Sequence, residues 1–129
     1  MDFQPTEERR MVADMINKFI QNDYPLKARL DAGVSELGYN PQAYTQMAEL
    51  GLIGALFDED IGGFGGGGFD IATVFTELGR GLINEPFNDT ALASGYIFAQ
   101  TGHLDWVEHI ISGTKRVALA LIENGADYD

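Results

Sequence analysis

The most distinctive spacing in the sequence is the run of glycines within Gly62–Gly68, a composition typical of loops whose backbone amides hold phosphate. Such a loop follows a strand, opens a helix and carries a lysine or a later acidic ribose contact. No lysine is present here, and three carboxylates that would repel phosphate, Asp58, Glu59 and Asp60, lie just upstream. The sequence therefore predicts a flexible connection rather than a phosphate site.

Other residues that could do chemistry also lack the required arrangement. The acidic segment 58–60 does not have the alternating ligands and closing glutamate of a calcium loop, so it is interpreted as a solvated turn. His103 and His109 are too far apart to form a helical metal-binding pair and are predicted to be surface or cap residues. The candidate hydroxyl nucleophiles have no histidine and aspartate set around them in sequence; they are Thr45, Thr73 and Ser94.

Composition narrows the class of protein. A chain of 129 residues with 45% hydrophobic and 22% charged residues fits one globular domain. There is no cysteine, which excludes thiol catalysis and disulfides. The net charge of −12 argues against nucleic acid as a partner. Neither a secretory signal nor an apolar run of membrane-spanning length is present, so we expect a cytoplasmic protein.

Helical patterns cover most of the chain. Apolar residues at helical spacing, with cap and stop residues around them, predict helices over 6–23, from Pro41 towards Gly51, over 70–80, from Asp89 through Gln100, and over Leu104–Ile111. Thr6, Asn40 and Asp89 are the predicted N-caps, and Gly51 is the predicted left-handed C-terminal residue. The segment Asn84–Asn88 is interpreted as a turn or loop.

The segment Val117–Ile122 is the best strand candidate. A single strand cannot satisfy its own backbone donors and acceptors. We therefore expect this strand to pair with another chain, or the sequence to be the front part of a longer one.

The ordered landmarks of the chain resemble the acyl-CoA dehydrogenase family. No single motif is specific, but together they cover nearly the whole sequence. They are Asp2–Glu8, Met47–Gly54 followed by an acidic pair and Ile61–Gly63, Phe75–Arg80, Thr101–Gly102, Trp106–Gly113 and Ala118–Glu123.

This resemblance implies an all-α fold, an orthogonal bundle of about five helices that ends in one strand. Residues 1–115 would form the amino-terminal helical domain, and residues 116–129 the first strand and turn of a middle β-domain. Family members oxidise the Cα–Cβ bond of an acyl-CoA thioester with FAD, and a carboxylate takes the α proton. Because that base and most FAD contacts belong to later domains, the resemblance implies no catalytic, cofactor-binding or metal-binding residue in this chain. It implies that Phe87, Thr90 and Ala91 line the far end of the acyl pocket.

The end of the chain departs from the family pattern. The usual pattern there is Thr-Glu-Pro-x-Ala-Gly-Ser-Asp, whose hydroxyls help to hold the flavin. Ile122 replaces the threonine, Asp127 the glycine and Tyr128 the serine. Since Ile122 has no side-chain donor and Asp127 would bring an anion near phosphate, we expect weak FAD binding even in a complete parent protein.

Three interpretations of the chain stay open. It is a fragment of an FAD-dependent acyl-CoA dehydrogenase, a non-catalytic partner subunit of a hetero-oligomeric dehydrogenase, or a helical interaction module. Under the first two, the implied partners are the remaining domains, an acyl-CoA substrate and further subunits of a homo- or hetero-oligomer.

Overall fold

The computed structural model describes residues 4–120, and this part of the chain is built from helices and loops. The α-helices are α1 (Glu7–Asn22), α2 (Leu26–Gly33), α3 (Pro41–Glu49), α4 (Gly68–Arg80), α5 (Ser94–Gln100) and α6 (Leu104–Ile111). Two 3₁₀ turns span Gly54–Leu56 and Glu59–Ile61, and a π-helical segment spans Phe87–Ala93. None of the described helices has the length and apolar character needed to cross a membrane.

Local cap chemistry sets several helix ends where the sequence predicts them. Thr6 accepts a hydrogen bond from the Arg9 amide, 3.4 Å away, at the start of α1. Asn40 Oδ1 accepts from the amides of Gln42 and Ala43 at 2.9 and 3.2 Å, so α3 begins with a full cap. Gly51 has φ 86°, the left-handed conformation expected after α3.

The core lies between α1, α3, α4 and the segment from Leu52 to Phe57. Each fully buried aliphatic side chain there contributes about 1.5–3 kcal/mol relative to exposure. Polar contacts join α1 to α4 at the edge of this core: Arg9 Nε lies 2.7 Å from Asp70 Oδ1, and Asn17 Nδ2 donates to Glu77 Oε2 at 2.8 Å. The largest fully buried side chains include Tyr44, Phe57, Ile16, Met47, Leu52, Ile53, Leu56 and Val74.

The prediction that Asp89 caps a single helix through Gln100 is wrong. Asp89 lies inside the π-helical segment, which begins after Pro86, and α5 starts only at Ser94. Pro86 lacks an amide hydrogen and so fits naturally before a helical first turn. The Asp89 carbonyl accepts a bond from the Ser94 hydroxyl at 2.6 Å, which gives this carbonyl a partner where the helix type changes.

The predicted strand is not formed in the described residues. Residues 117–120 have no regular secondary structure, although burial alternates, with Val117 and Leu119 half-buried and Ala118 and Ala120 exposed. A strand needs a neighbouring strand for its backbone bonds, and the described residues provide none. The remainder of the predicted strand, 121–122, lies outside the described residues, and the β-domain assigned to 116–129 stays a prediction.

Candidate functional site

The glycine-rich segment is not a phosphate-binding loop. Five consecutive amides already donate to acceptors of the protein at 2.8 to 3.1 Å. These bonds run from Gly63 to Asp58 O, from Phe64 to Gly54 O, from Gly65 to Phe57 O, from Gly66 to Ala55 O and from Gly67 to Asp70 Oδ2. Phosphate loops work because their amides are free to donate to the ligand.

The same bonds show that the prediction of a flexible connection is wrong. Four of the five acceptors are backbone carbonyls of residues 54–58, so the glycine segment is hydrogen-bonded to the stretch of chain that precedes it. At Gly63 and Gly65 an added Cβ would lie 2.1 and 2.3 Å from backbone carbonyl oxygens of this neighbouring stretch. The glycines therefore allow two backbone segments to approach each other closely.

The three predicted substrate-lining residues all lie in the π-helical segment. Phe87, Thr90 and Ala91 are buried in the described chain, whereas Asn88 and Asp89 between them are exposed. Segments of π-helix occur frequently at functional sites. The π-helical segment is therefore the candidate site.

Two side-chain contacts fix the buried face of this segment. The Phe87 ring packs on the Tyr44 ring of α3, with ring centroids 5.5 Å apart. The Thr90 hydroxyl donates to the Val117 carbonyl at 2.8 Å and so holds the chain that follows α6. The segment thus links α3 to the point where residues 117–120 leave the helical core.

Tyr44 is an unusual member of this cluster. Its hydroxyl is buried and has no hydrogen-bond partner within residues 4–120. The Arg116 guanidinium lies 5.6 Å from the centroid of its ring and 6.0 Å from that of Tyr39. Burial raises the pKa of Tyr44 to about 12, although the charge of Arg116 acts in the opposite direction.

We expect the Tyr44→Phe variant to be more stable than the wild type by about 1 kcal/mol at neutral pH, because it removes an unpaired buried hydroxyl. Since the pKa of Tyr44 rises from 10.0 in the unfolded chain to about 12 in the folded one, the wild type loses stability as pH rises from 10 to 12. This loss amounts to about 2–3 kcal/mol, and the variant lacks it. Urea denaturation at pH 7, 9, 10, 11 and 12 measures both effects, and parallel pH profiles would contradict the assignment.

A buried carboxylate precedes the π-helical segment. Glu85 Oε1 accepts from the Tyr24 hydroxyl at 2.6 Å and from the Asn40 amide at 3.1 Å. Burial and the bond to Glu85 raise the pKa of Tyr24. The sequence places Glu85 only in a turn; its partners are 61 and 45 residues away, and no local pattern points to them.

The other side chains considered for catalysis or metal binding either form structural hydrogen bonds or lie apart from one another. The hydroxyls of Thr45, Thr73 and Ser94 donate to backbone carbonyls at 2.6 to 3.0 Å, as expected for structural residues. His103 is exposed at the start of α6, and half-buried His109 contacts the Thr114 hydroxyl. Within residues 4–120, no three His, Cys, Asp or Glu side chains come together in a way that could hold a metal ion.

Comparison with known proteins decides the family. Residues 6–103 match the family model of the acyl-CoA dehydrogenase N-terminal domain. The chain belongs to this family. Acyl-CoA dehydrogenase IpdE2 of Mycolicibacterium smegmatis is 30% identical over 111 residues, which cover 85% of this chain and 35% of that protein. Probable acyl-CoA dehydrogenase YngJ of Bacillus subtilis is 35% identical over 81 residues, 62% of this chain and 20% of that protein.

Solved structures support the same fold for this acyl-CoA dehydrogenase domain. A variant of the Tcur3481-Tcur3483 steroid ACAD superposes with a TM-score of 0.80 at 22% identity, over 93% of this chain and 34% of that one. The ChsE4-ChsE5 complex from Mycobacterium tuberculosis gives a TM-score of 0.81 at 18% identity, over 94% of this chain and 34% of that one. The chain thus spans about a third of the length of these proteins.

The glycine-rich segment does not fit FAD, the cofactor that the family implies. The diphosphate of FAD needs free donors, and the amides of the glycine-rich segment are already bonded. The three carboxylates of 58–60 also lie next to that segment. The positions at which the sequence departs from the flavin-holding pattern, Ile122, Asp127 and Tyr128, lie outside the described residues.

Proposed function

We propose that this chain is the N-terminal helical domain of an FAD-dependent acyl-CoA dehydrogenase that desaturates an acyl-CoA thioester between Cα and Cβ. The family match over residues 6–103 carries this proposal. In this role the described residues would contribute shape rather than chemistry. The base and the flavin contacts would belong to other parts of the parent protein, which we place in the cytoplasm.

Within this assignment, the π-helical segment would contribute to the far end of the acyl pocket. Phe87, Thr90 and Ala91 are held from the core side by Tyr44 and Val117. We propose that they form a rigid base under the pocket surface, and that their volume limits the acyl group that fits. This role explains why both contacts hold the segment on its buried face.

An enzymatic assay tests the proposed function. The parent protein that contains this domain, loaded with FAD, is expected to reduce an electron acceptor only when an acyl-CoA is added, and to release the 2-enoyl-CoA product. Straight-chain, branched and steroid acyl-CoA thioesters should be compared, with the free CoA thiol as the control. Failure of flavin-loaded protein to form any enoyl product from all of these substrates would refute the proposal.

A second candidate function is a non-catalytic partner subunit of a hetero-oligomeric dehydrogenase. The replacements at Ile122, Asp127 and Tyr128 favour it, because they remove expected flavin contacts. The similar structures also carry the names of two components each, Tcur3481-Tcur3483 and ChsE4-ChsE5. Purification of the parent alone and together with its partner separates the two functions: a stoichiometric flavin spectrum for the parent alone counts against the partner-subunit role.

A further inference from the structure

We propose that Glu85 is a positioning residue for the acyl pocket. Its carboxylate binds residues next to the end of α1 and at the start of α3, and it thereby fixes the start of the π-helical segment. This inference rests on the proposed function and adds a residue that determines which acyl groups are accepted. Glu85 does not touch the predicted lining residues through its side chain. It acts through the backbone that leads into them.

The backbone after Glu85 transmits the position of its carboxylate directly. The Phe87 amide donates to the Glu85 carbonyl at 2.7 Å across Pro86, whose φ of −78° and ψ of 58° define an inverse γ-turn. This turn is tight, and the proline ring restricts its φ. A shift of Glu85 therefore moves Phe87, the first residue of the π-helical segment.

The side chain of Glu85 binds residues next to the ends of two separate helices. Tyr24 follows the end of α1, and Asn40 is the N-cap of α3, the helix that carries Tyr44. Tyr44 in turn packs on Phe87. One carboxylate oxygen thus fixes both the γ-turn and the helix against which Phe87 packs.

The neighbouring turn residue adds α2 to this arrangement. Asn84 Nδ2 donates to the Arg29 carbonyl in α2 at 3.0 Å. The side chain of Arg29 is partly buried, with its Nε atom shielded from solvent. The segment that begins at Asn84 is therefore held by α1, α2 and α3 just before the π-helical segment.

The burial of Glu85 is costly if its only role is to support the fold. The residue is 5% exposed, and its second carboxylate oxygen, Oε2, is buried without a hydrogen-bond partner within residues 4–120. An apolar side chain of similar size usually stabilises a core as well as, or better than, a buried charge. By contrast, a carboxylate that accepts hydrogen bonds from two specific donors is useful where the surrounding backbone must adopt one defined geometry.

Amide hydrogen exchange on the full chain tests the positioning role without any enzyme assay. The Glu85→Leu variant loses both hydrogen bonds, and the Tyr24→Phe variant loses one. In both variants we expect amide exchange at residues 87–94 to accelerate about tenfold or more, with a smaller change in α1 and α4. Glu85→Gln keeps an acceptor oxygen and should remain near wild type. Glu49→Gln, an exposed carboxylate on α3, is the charge-matched control. Uniform acceleration over all helices, or no acceleration, would overturn the proposal.

Substrate preference in the flavin-loaded parent enzyme provides the second measurement. For Glu85→Leu we expect the ratio of kcat/KM for long against short acyl-CoA to change about tenfold, mainly through KM, with Glu85→Gln restoring the ratio. An equal loss for every acyl length would indicate general instability and overturn the positioning role. A wild-type enzyme without any acyl-CoA turnover would refute the proposed function instead, and the hydrogen-exchange result would stand separately.

Discussion

Gly63→Ala is expected to lower the free energy of unfolding by about 3 kcal/mol, as overpacking of a closely packed site does. A Cβ at this position would lie 2.1 Å from the Phe57 carbonyl oxygen and 2.6 Å from that of Gly54. Both are backbone atoms, so no side chain can rotate away to make room. The displacement would also strain the bond from the Gly63 amide to the Asp58 carbonyl. Urea denaturation followed by far-UV circular dichroism measures the change.

Gly68→Ala is the matched control for this prediction. Gly68 is the first residue of α4, and an added Cβ there meets no atom within 4 Å. The same chemical change is expected to alter stability by less than about 0.5 kcal/mol. If both variants lost the same amount of stability, the close approach of the glycine segment to residues 54–58 would not be its structural role.

The contrast between these glycines shows what a sequence pattern can predict. Helix ends at Thr6, Asn40 and Gly51 were predictable because each depends on a residue and its nearest neighbours in sequence. The packed glycine segment was not predictable in this way. Its composition is equally typical of a flexible linker, and only the fold reveals that five amides are bonded.

The π-helical segment was missed for a related reason. Its apolar residues and the acidic Asp89 have the spacing of an ordinary capped helix, so the sequence pattern does not distinguish the wider turn from an α-helix. Glu85 illustrates the same limit, because Tyr24 and Asn40 reach it from distant parts of the sequence. The family resemblance nevertheless implies a pocket role for Phe87, Thr90 and Ala91, and all three lie in this segment. Their contact with an acyl group stays a prediction.

In the proposed enzyme, this domain and the rest of the parent protein would have different roles. The glycine amides and the hydroxyls of Thr45, Thr73 and Ser94 already form hydrogen bonds within the described residues. A domain of this kind affects a reaction by holding a surface in place. Changes to its buried contacts should therefore affect stability and substrate preference together, whereas the chemical step would respond to residues elsewhere in the parent protein.

Phe87→Ala is expected to show both effects. Phe87 is 2% exposed and packs on Tyr44, so truncation should lower the free energy of unfolding by about 3–5 kcal/mol. The cavity would lie at the base of the proposed acyl pocket. In the flavin-loaded parent enzyme, we therefore expect kcat/KM for bulky or long acyl-CoA substrates to rise about tenfold relative to short ones, in line with pocket discrimination of 1–3 kcal/mol.

Two further variants separate the effect on substrate from the loss of stability. Phe87→Leu removes less volume and should lose less stability, which keeps the domain folded while the preference shifts in the same direction. Leu30→Ala truncates a residue of α2 that is 62% exposed, and it should change neither quantity measurably. Because a merely structural Phe87 would reduce kcat/KM equally for every acyl group, an unchanged preference in Phe87→Leu would remove this residue from the acyl pocket.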